Sequence, residues 1–183
     1  MDKDEALTLA LRHVAAEGVR TLSLTGLAER AGVSRATVYR MFSGRADLMA
    51  QLAAREMQFM VVAGMAELDL TAPTAQVAAD LVTFALGYLR RHRGLNRVRE
   101  LEPESLLTFV ITHDGAQLNV IELVTSYVEP VLADPRHRPQ LAMPPRQAAE
   151  HLVRLVLSHF LAESRNIDDA ALGVLAARAV CRS

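Results

Sequence analysis

The chain has 183 residues, no Trp, one Cys, 51% apolar and 22% charged residues, and a net charge of −1. This composition is typical of a globular protein and argues against disorder. A single Cys excludes a disulfide framework and any multi-cysteine metal site, and it fits a reducing compartment. The acidic start is unlike a signal peptide, and no apolar run approaches the roughly 18 residues that span a bilayer. We therefore expect a cytoplasmic protein without membrane association.

Apolar residues recur at helical spacing along nearly the whole chain, which predicts an all-α protein of about nine helices. Gly18, Gly32 and the Ser43–Gly44 pair are predicted breaks, and a further break is expected at Gly94. A loop with four prolines is predicted over 134–145. The predicted helices cover roughly residues 7–17, 23–31, 34–42, 46–68, 74–92, 103–112, 118–128, 147–163 and 168–181.

Residues 22–48 carry the pattern of a helix-turn-helix, in which the second of two short helices enters the major groove of DNA. Small residues at Ala28 and Ala31 allow the two helices to approach closely. Val38 can fill the wedge between them, and Ser34 can cap the second helix. The residues expected to contact DNA are Ser34, Arg35, Ala36, Thr37, Tyr39, Arg40 and Arg45.

Each of these residue types has a chemical reason to touch DNA. Arg40 and Arg35 can donate to guanine O6 and N7, and Thr or Ala can touch a thymine methyl group. Tyr39 can reach a phosphate with its hydroxyl, although a half-buried aromatic role is the alternative. Arg45, at the start of the long helix, is a second candidate for a phosphate contact.

The segment resembles the DNA-binding domain of the TetR family of bacterial transcriptional repressors. The matching residues are Ala28, Ala31, Gly32, Val33, Ser34, Thr37, Tyr39, Phe42 and Leu48. Two positions depart from the family pattern. Arg45 stands where the family usually has Lys, and Gly26 lies inside the second helix, where Gly costs about 1 kcal/mol relative to Ala.

The resemblance implies a homodimer on palindromic operator DNA, with residues 1–46 as the DNA-binding domain and 47–183 as the effector-binding and dimerisation domain. It implies that the last two helices of each subunit form a four-helix bundle. The expected interface residues are Leu152, Leu155, Val156, His159, Phe160, Leu172, Leu175, Ala176 and Ala179.

The middle helices would then enclose a pocket for a small hydrophobic effector, because methionine and aromatic side chains are frequent there. The candidate lining residues are Met57, Met60, Phe84, Tyr88, Phe109, Thr112, His113 and Tyr127. Ordinary core packing is the alternative for each apolar or aromatic member of this set. For the polar pair, Thr112 and His113, the alternative is a capped helix break.

The remaining chemistry-bearing residues give no enzymatic or metal-binding pattern. The histidines lack the spacing of a metal site, and no nucleophile is paired with a base. The basic cluster Arg90–Arg93, with Arg97 and Arg99, is a solvated helix end or a contact for an anionic ligand such as a CoA phosphate. We therefore predict a ligand-responsive repressor without cofactor or metal, located on the bacterial nucleoid when DNA-bound. The alternative is a small helical carrier or enzyme with an incidental helix-turn-helix.

Overall fold

The structure is a computed structural model that describes residues 1–106 and 119–182. The described part is helical, with one isolated antiparallel bridge between Leu141 and Cys181, which confirms the all-α prediction. Its α-helices of seven or more residues are α1 Lys3–Glu17, α2 Leu24–Ala31, α3 Arg35–Met41, α4 Arg45–Glu67, α5 Thr74–Arg91, α6 Arg93–Leu101, α7 Val120–Ala133, α8 Pro145–Leu161 and α9 Asp169–Val180. A short 3-10 helix, Arg138–Gln140, interrupts the proline-rich loop.

The break between α5 and α6 lies at His92 and not at Gly94, where we expected it. His92 is the N-cap of α6, and its Nδ1 accepts a hydrogen bond from the Leu95 N–H at 3.1 Å. A histidine ring can thus satisfy one of the free N–H groups of a helix start. Gly94 is buried inside the first turn of α6.

The described chain forms two compact units. The first unit contains Met1–Gln58 and His92–Leu118, and the second contains Phe59–Arg91 and Asn119–Ser183. In the first unit, α1 packs against α2 and α6, and α2 packs against α3. In the second unit, α5 packs against α8 and α9, and α7 packs against α8.

The turn after α1 is fastened to the C-terminal end of α6 within the first unit. The Glu102 side chain is 4% exposed, and both its oxygens accept from the Arg20 backbone N–H, at 3.1 and 3.0 Å. Gly18 adopts a φ of 82°, and a Cβ there would lie 2.2 Å from Glu102 Oε1. The turn therefore needs glycine for its backbone conformation and for the room that the carboxylate occupies.

His137 fastens the proline-rich loop to the start of α5 within the second unit. It is 2% exposed, and its Nε2–H donates to the Leu70 carbonyl at 2.9 Å. Its Nδ1 accepts from the hydroxyl of Thr74, a fully buried residue, at 3.1 Å. Because both ring nitrogens are paired in the interior, these bonds hold the loop in one conformation.

We expect His137→Ala to lower the free energy of unfolding by about 2–5 kcal/mol, because the Thr74 hydroxyl and the Leu70 carbonyl would remain buried without partners. Thermal and urea unfolding of the full chain measure this. The control is Gln140→Ala, an exposed position in the same loop, which should change stability by less than about 0.5 kcal/mol. Equal effects of the two substitutions would show that the buried hydrogen bonds contribute little.

Candidate DNA-binding site

The predicted helix-turn-helix is formed by α2 and α3. The first of these helices ends, and the second begins, at the residues expected from the sequence. Gly32 terminates α2 with a φ of 66° in the left-handed region. Ser34 caps α3 by accepting from the Thr37 N–H at 3.2 Å, and its hydroxyl lies 2.9 Å from the Thr37 hydroxyl. The turn is therefore set by one glycine conformation and one side-chain cap.

Gly32→Ala should destabilise the protein by about 1–2 kcal/mol, the cost of holding an L-residue in the left-handed conformation. No atom lies within 4 Å of a Cβ built at this position, so a steric clash contributes nothing. Gly32→Asn should lose much less stability, because Asn tolerates this backbone conformation. Unfolding curves of both variants test the explanation, and an equal loss in both would contradict it.

Helix α3 buries one side and presents the other to solvent. Val38 is fully buried in the first unit. Arg35, Ala36 and Arg40 are exposed, and Tyr39 has 55% of its surface accessible. The exposure of Tyr39 argues against the core role that was its alternative. The polar face of α3 is therefore available to a partner, as a helix that enters the major groove requires.

The two arginines of α3 differ in their surroundings. Arg35 Nη2 lies 3.7 Å from Glu29 Oε1, and both side chains are 68% exposed, so this ion pair is weak and easily exchanged. Arg40 has no ion pair or hydrogen bond through its side chain to any residue that the structure describes. Its guanidinium is therefore free to donate to a base edge.

Arg45, the predicted phosphate contact, has an additional structural role. Its Nε–H donates to the Leu22 carbonyl at 2.9 Å, and an Nη2 N–H donates to the Val19 carbonyl at 2.7 Å. These bonds connect the start of α4 to the segment between α1 and α2. An arginine has five donors in a fixed fork, so it can span two carbonyls where a lysine ammonium offers one point of contact.

Arg45→Ala should weaken binding to all DNA sequences alike and lower the salt slope by about 0.9 for each phosphate contact that is lost. It should also lower the melting temperature, because two carbonyl contacts disappear. Arg45→Lys should leave the salt slope unchanged and lower only the melting temperature. Binding at several salt concentrations and thermal unfolding separate the two roles. An unchanged salt slope in Arg45→Ala would remove this residue from the DNA contacts.

The junction between α3 and α4 is closed by hydrogen bonds to Asp47. Asp47 Oδ2 accepts from the Ser43 backbone N–H at 2.8 Å and from its hydroxyl at 3.2 Å, and Oδ1 accepts from Gln51 at 2.8 Å. The bonds from Gln51 and from Ser43 hold the pKa of Asp47 below its ordinary value. The three residues that separate α3 from α4, Phe42 to Gly44, are therefore a braced connection rather than a loose hinge.

A polar network that the sequence did not reveal connects three helices of the first unit. Arg55 Nη1 donates to the Asp4 carbonyl and to the Thr8 hydroxyl at 3.0 and 2.9 Å. Its Nε and Nη2 donate to Glu56 Oε1, and Glu56 Oε2 accepts from His92 Nε2 at 3.1 Å. Residues of the network are separated by 51 and 36 positions along the chain, so local periodicity carries no signal of it.

The residues predicted to line an effector pocket are distributed over both units. Met57 belongs to the first unit, and Met60, Phe84, Tyr88 and Tyr127 belong to the second. Phe84 and Tyr88 are half-buried, with ring centroids 6.0 Å apart at an interplanar angle of 39°. Met60 is buried at 9% exposure, and Tyr127 is 43% exposed. Three further candidates lie outside the described residues: Phe109, Thr112 and His113.

The expected interface residues differ in their burial within the chain. Five of the nine are buried in the core of the second unit: Leu152, Val156, Phe160, Leu172 and Ala176. Of the other four, Leu175 is 47% exposed, Ala179 is exposed, and Leu155 and His159 are half-buried. Val174, which we did not predict, is 48% exposed beside Leu175. Apolar residues occur on several sides of α9, so periodicity did not distinguish its buried side from its exposed side.

The residues that the structure describes contain no group of three or more His, Cys, Asp or Glu side chains placed to hold a metal ion. None of the helices that they form is long and apolar enough to cross a membrane.

Residues 6–52 match the model of a family described as bacterial regulatory proteins, tetR family. This range contains α1, α2, α3 and the start of α4. A comparison with curated proteins found no match.

The fold of the chain is similar to solved structures of regulators. The transcriptional repressor QsdR of R. erythropolis, from the TetR family, aligns over 98% of this chain and 95% of its own, with 21% identity and a TM-score of 0.67. A regulator designated putative, SCO7518 of Streptomyces coelicolor A3(2), aligns over 96% of both chains, with 18% identity and a TM-score of 0.70. NalD of Pseudomonas aeruginosa, the secondary repressor of the MexAB-OprM multidrug efflux pump, aligns over 98% and 95%, with 21% identity and a TM-score of 0.58.

These similarities agree with the geometry of α2 and α3, a capped helix pair that presents an exposed tyrosine and an arginine without a partner among the described residues. The family model matches the segment that contains this pair, and the fold similarity extends over nearly the whole chain. Residues 6–52 therefore carry the segment that defines the tetR family of bacterial regulatory proteins, and the chain has the fold of the solved regulators named above.

Proposed function

We propose that this regulator is a repressor that binds a palindromic operator as a homodimer and is released by a small hydrophobic effector. The observation that carries the proposal is the exposed side of α3, which presents Arg35, Tyr39 and Arg40, while Val38 is fully buried. Residues 1–46 bind DNA in this proposal, and residues 47–183 bind the effector and dimerise. Two of the three structures described above are named as repressors, which supports this direction of regulation.

Binding to a palindrome requires two copies of α3 in successive major grooves, about 34–36 Å apart. The candidate contact surface between subunits is the exposed apolar side of α9, where Val174 and Leu175 are 48% and 47% exposed. Half-buried Leu155 of α8 is a further candidate. An isologous interface uses the same surface on both subunits, and such a self-complementary apolar surface suits it.

The effector would act by linkage. Effector and operator favour different spacings of the two DNA-binding heads, so each weakens the binding of the other by the same coupling free energy. Helix α4 begins at Arg45, and Asp47 braces its connection to α3. A tilt of α4 would therefore tilt α3 by nearly the same angle. The half-buried Phe84 and Tyr88, together with Met60, favour an apolar effector.

Gel-shift titration against genomic fragments tests operator binding. The switch is tested without knowing the effector by Ala85→Trp, which adds bulk at a half-buried position of α5 beside Phe84. It should mimic the effector and weaken operator binding while sedimentation still shows a dimer. The control is Ala133→Trp at the exposed end of α7. Failure to select any genomic fragment at moderate salt would contradict the function, and unchanged binding by Ala85→Trp would contradict the proposed route.

In this proposal the protein acts in the bacterial cytoplasm, on the nucleoid when it is bound to DNA.

Insertion of glycines between Ser43 and Gly44 should uncouple the heads, so that Ala85→Trp no longer weakens operator binding. If Ala85→Trp weakens operator binding as strongly in the protein with inserted glycines, the coupling between effector site and DNA-binding head runs through another contact. The hydrogen bonds between α1, Arg55 and Glu56 would then be the first candidate.

A further inference from the structure

An open cleft of about 560 Å³ lies within the first unit, between α1, Glu56 of α4 and the start of α6. This volume is within the range of about 300–1,000 Å³ that is usual for small-molecule sites. None of the residues predicted to line the effector pocket lines this cleft. The cleft is therefore a separate candidate site.

The cleft combines an apolar surface with a basic edge. Helix α1 contributes Leu11, Ala15 and Ala16, which present only carbon atoms from their side chains. Arg12 and Arg93 also line it, from α1 and α6. Both arginines are exposed, and neither makes a side-chain hydrogen bond or ion pair with a described residue. Two unengaged guanidinium groups beside an apolar surface suit a molecule that has an acidic end and a short apolar chain.

The one acidic residue of the lining does not cancel this basic edge. Glu56 is ionised: burial alone would raise its pKa, but the hydrogen bonds from His92 and Arg55 outweigh that and hold the pKa below the ordinary value. Its Oε1 accepts two N–H groups of Arg55, and its Oε2 accepts the Nε2–H of His92. The carboxylate of Glu56 is thus engaged by Arg55 and His92, and it leaves Arg12 and Arg93 available to a ligand.

We propose that this cleft binds a small amphiphile whose carboxylate or phosphate is held by Arg12 and Arg93 and whose alkyl chain lies on Leu11, Ala15 and Ala16. Arginine binds both headgroups through paired N–H donors. Arg93 belongs to the basic cluster of residues 90–99, which the DNA-binding role leaves unexplained. Occupation of the cleft would tie α1, which packs against α2, more firmly to α6.

Calorimetric titration of the full-length protein with octanoate, octyl phosphate and octanol tests the site, without DNA present. At least one of the two acids should bind, and octanol should bind much more weakly. Arg12→Gln combined with Arg93→Gln should weaken binding of the acid at least about tenfold, since each charged hydrogen bond contributes substantially. Ala16→Phe, at an exposed position, should block both acids. The tighter of the two acids identifies the headgroup.

The matched control is Arg138→Gln combined with Arg165→Gln, which removes the same charge from exposed positions of the second unit. It should leave the affinity for the acid unchanged. The proposal is overturned if neither acid binds, if octanol binds as tightly, if the Arg12 and Arg93 variant binds like the wild type, or if the control loses as much affinity. Because no DNA enters the titration, failure here is distinct from failure of the regulatory function.

Discussion

Replacement of Arg40 by Ala is expected to cost about 1–3 kcal/mol of operator-binding free energy and to relax the preference at one base pair of each half-site. Arg40 lies on the exposed side of α3, opposite buried Val38, and its guanidinium has no partner among the described residues. None of the described residues therefore competes for its donors when a guanine edge approaches. Binding to the operator and to random DNA, measured at one salt concentration, gives the loss of specificity.

Arg40→Lys is the matched variant, because it keeps the positive charge and loses the planar pair of donors. It should bind random DNA like the wild type and still lose preference at the same base pair. If Arg40→Ala lowers affinity equally for operator and random DNA, Arg40 contacts phosphate and does not recognise a base. Tyr39→Phe should weaken binding to operator and to random DNA to the same extent, as expected for a phosphate contact.

Leu175→Glu is expected to produce monomers that no longer bind the operator. Leu175 is 47% exposed on α9 beside Val174, so a charge there would have to be buried in the proposed subunit interface. A monomer places only one α3 on the operator and loses the affinity that two linked heads provide. Sedimentation of the free protein at micromolar concentration, together with gel shifts, measures both effects.

Leu101→Glu is the control, since Leu101 is 45% exposed at the end of α6 in the first unit. It introduces the same charge at a similarly exposed leucine and should leave the dimer intact. Circular dichroism must show that Leu175→Glu keeps its helices. A stable wild-type monomer at micromolar concentration, or a Leu175→Glu dimer that binds the operator normally, would contradict the proposed interface.

Helical periodicity alone does not show which residue of α9 is buried and which is exposed. Leu172 and Leu175 are three positions apart on one helix, and both were expected at the interface. Leu172 is 3% exposed in the core of the second unit, and Leu175 is open. A charge at Leu172 would disrupt the core and lose the dimer for an unrelated reason. Only burial within the folded chain tells which substitution tests dimerisation.

The local structure of the DNA-binding segment was determined by the sequence alone. Gly32, Ser34 and Val38 predicted the turn, the cap and the buried wedge, and all three occupy those places. Each depends on interactions within a few residues: a left-handed backbone, a side chain that caps its own helix, and a side chain at helical spacing. Such short-range signals are complete in the sequence, so no distant part of the chain was needed to recognise them.

The roles that the tertiary structure decided all depend on residues far apart in the chain. Arg45 was expected at a phosphate, and folding also directs two of its donors to carbonyls 23 and 26 positions away. His92 was expected within a helix end, and it pairs with Glu56, 36 positions away. A side chain with several donors or acceptors has many possible partners in a sequence. Which of them it meets is fixed only when the packing of whole helices brings them within hydrogen-bond distance.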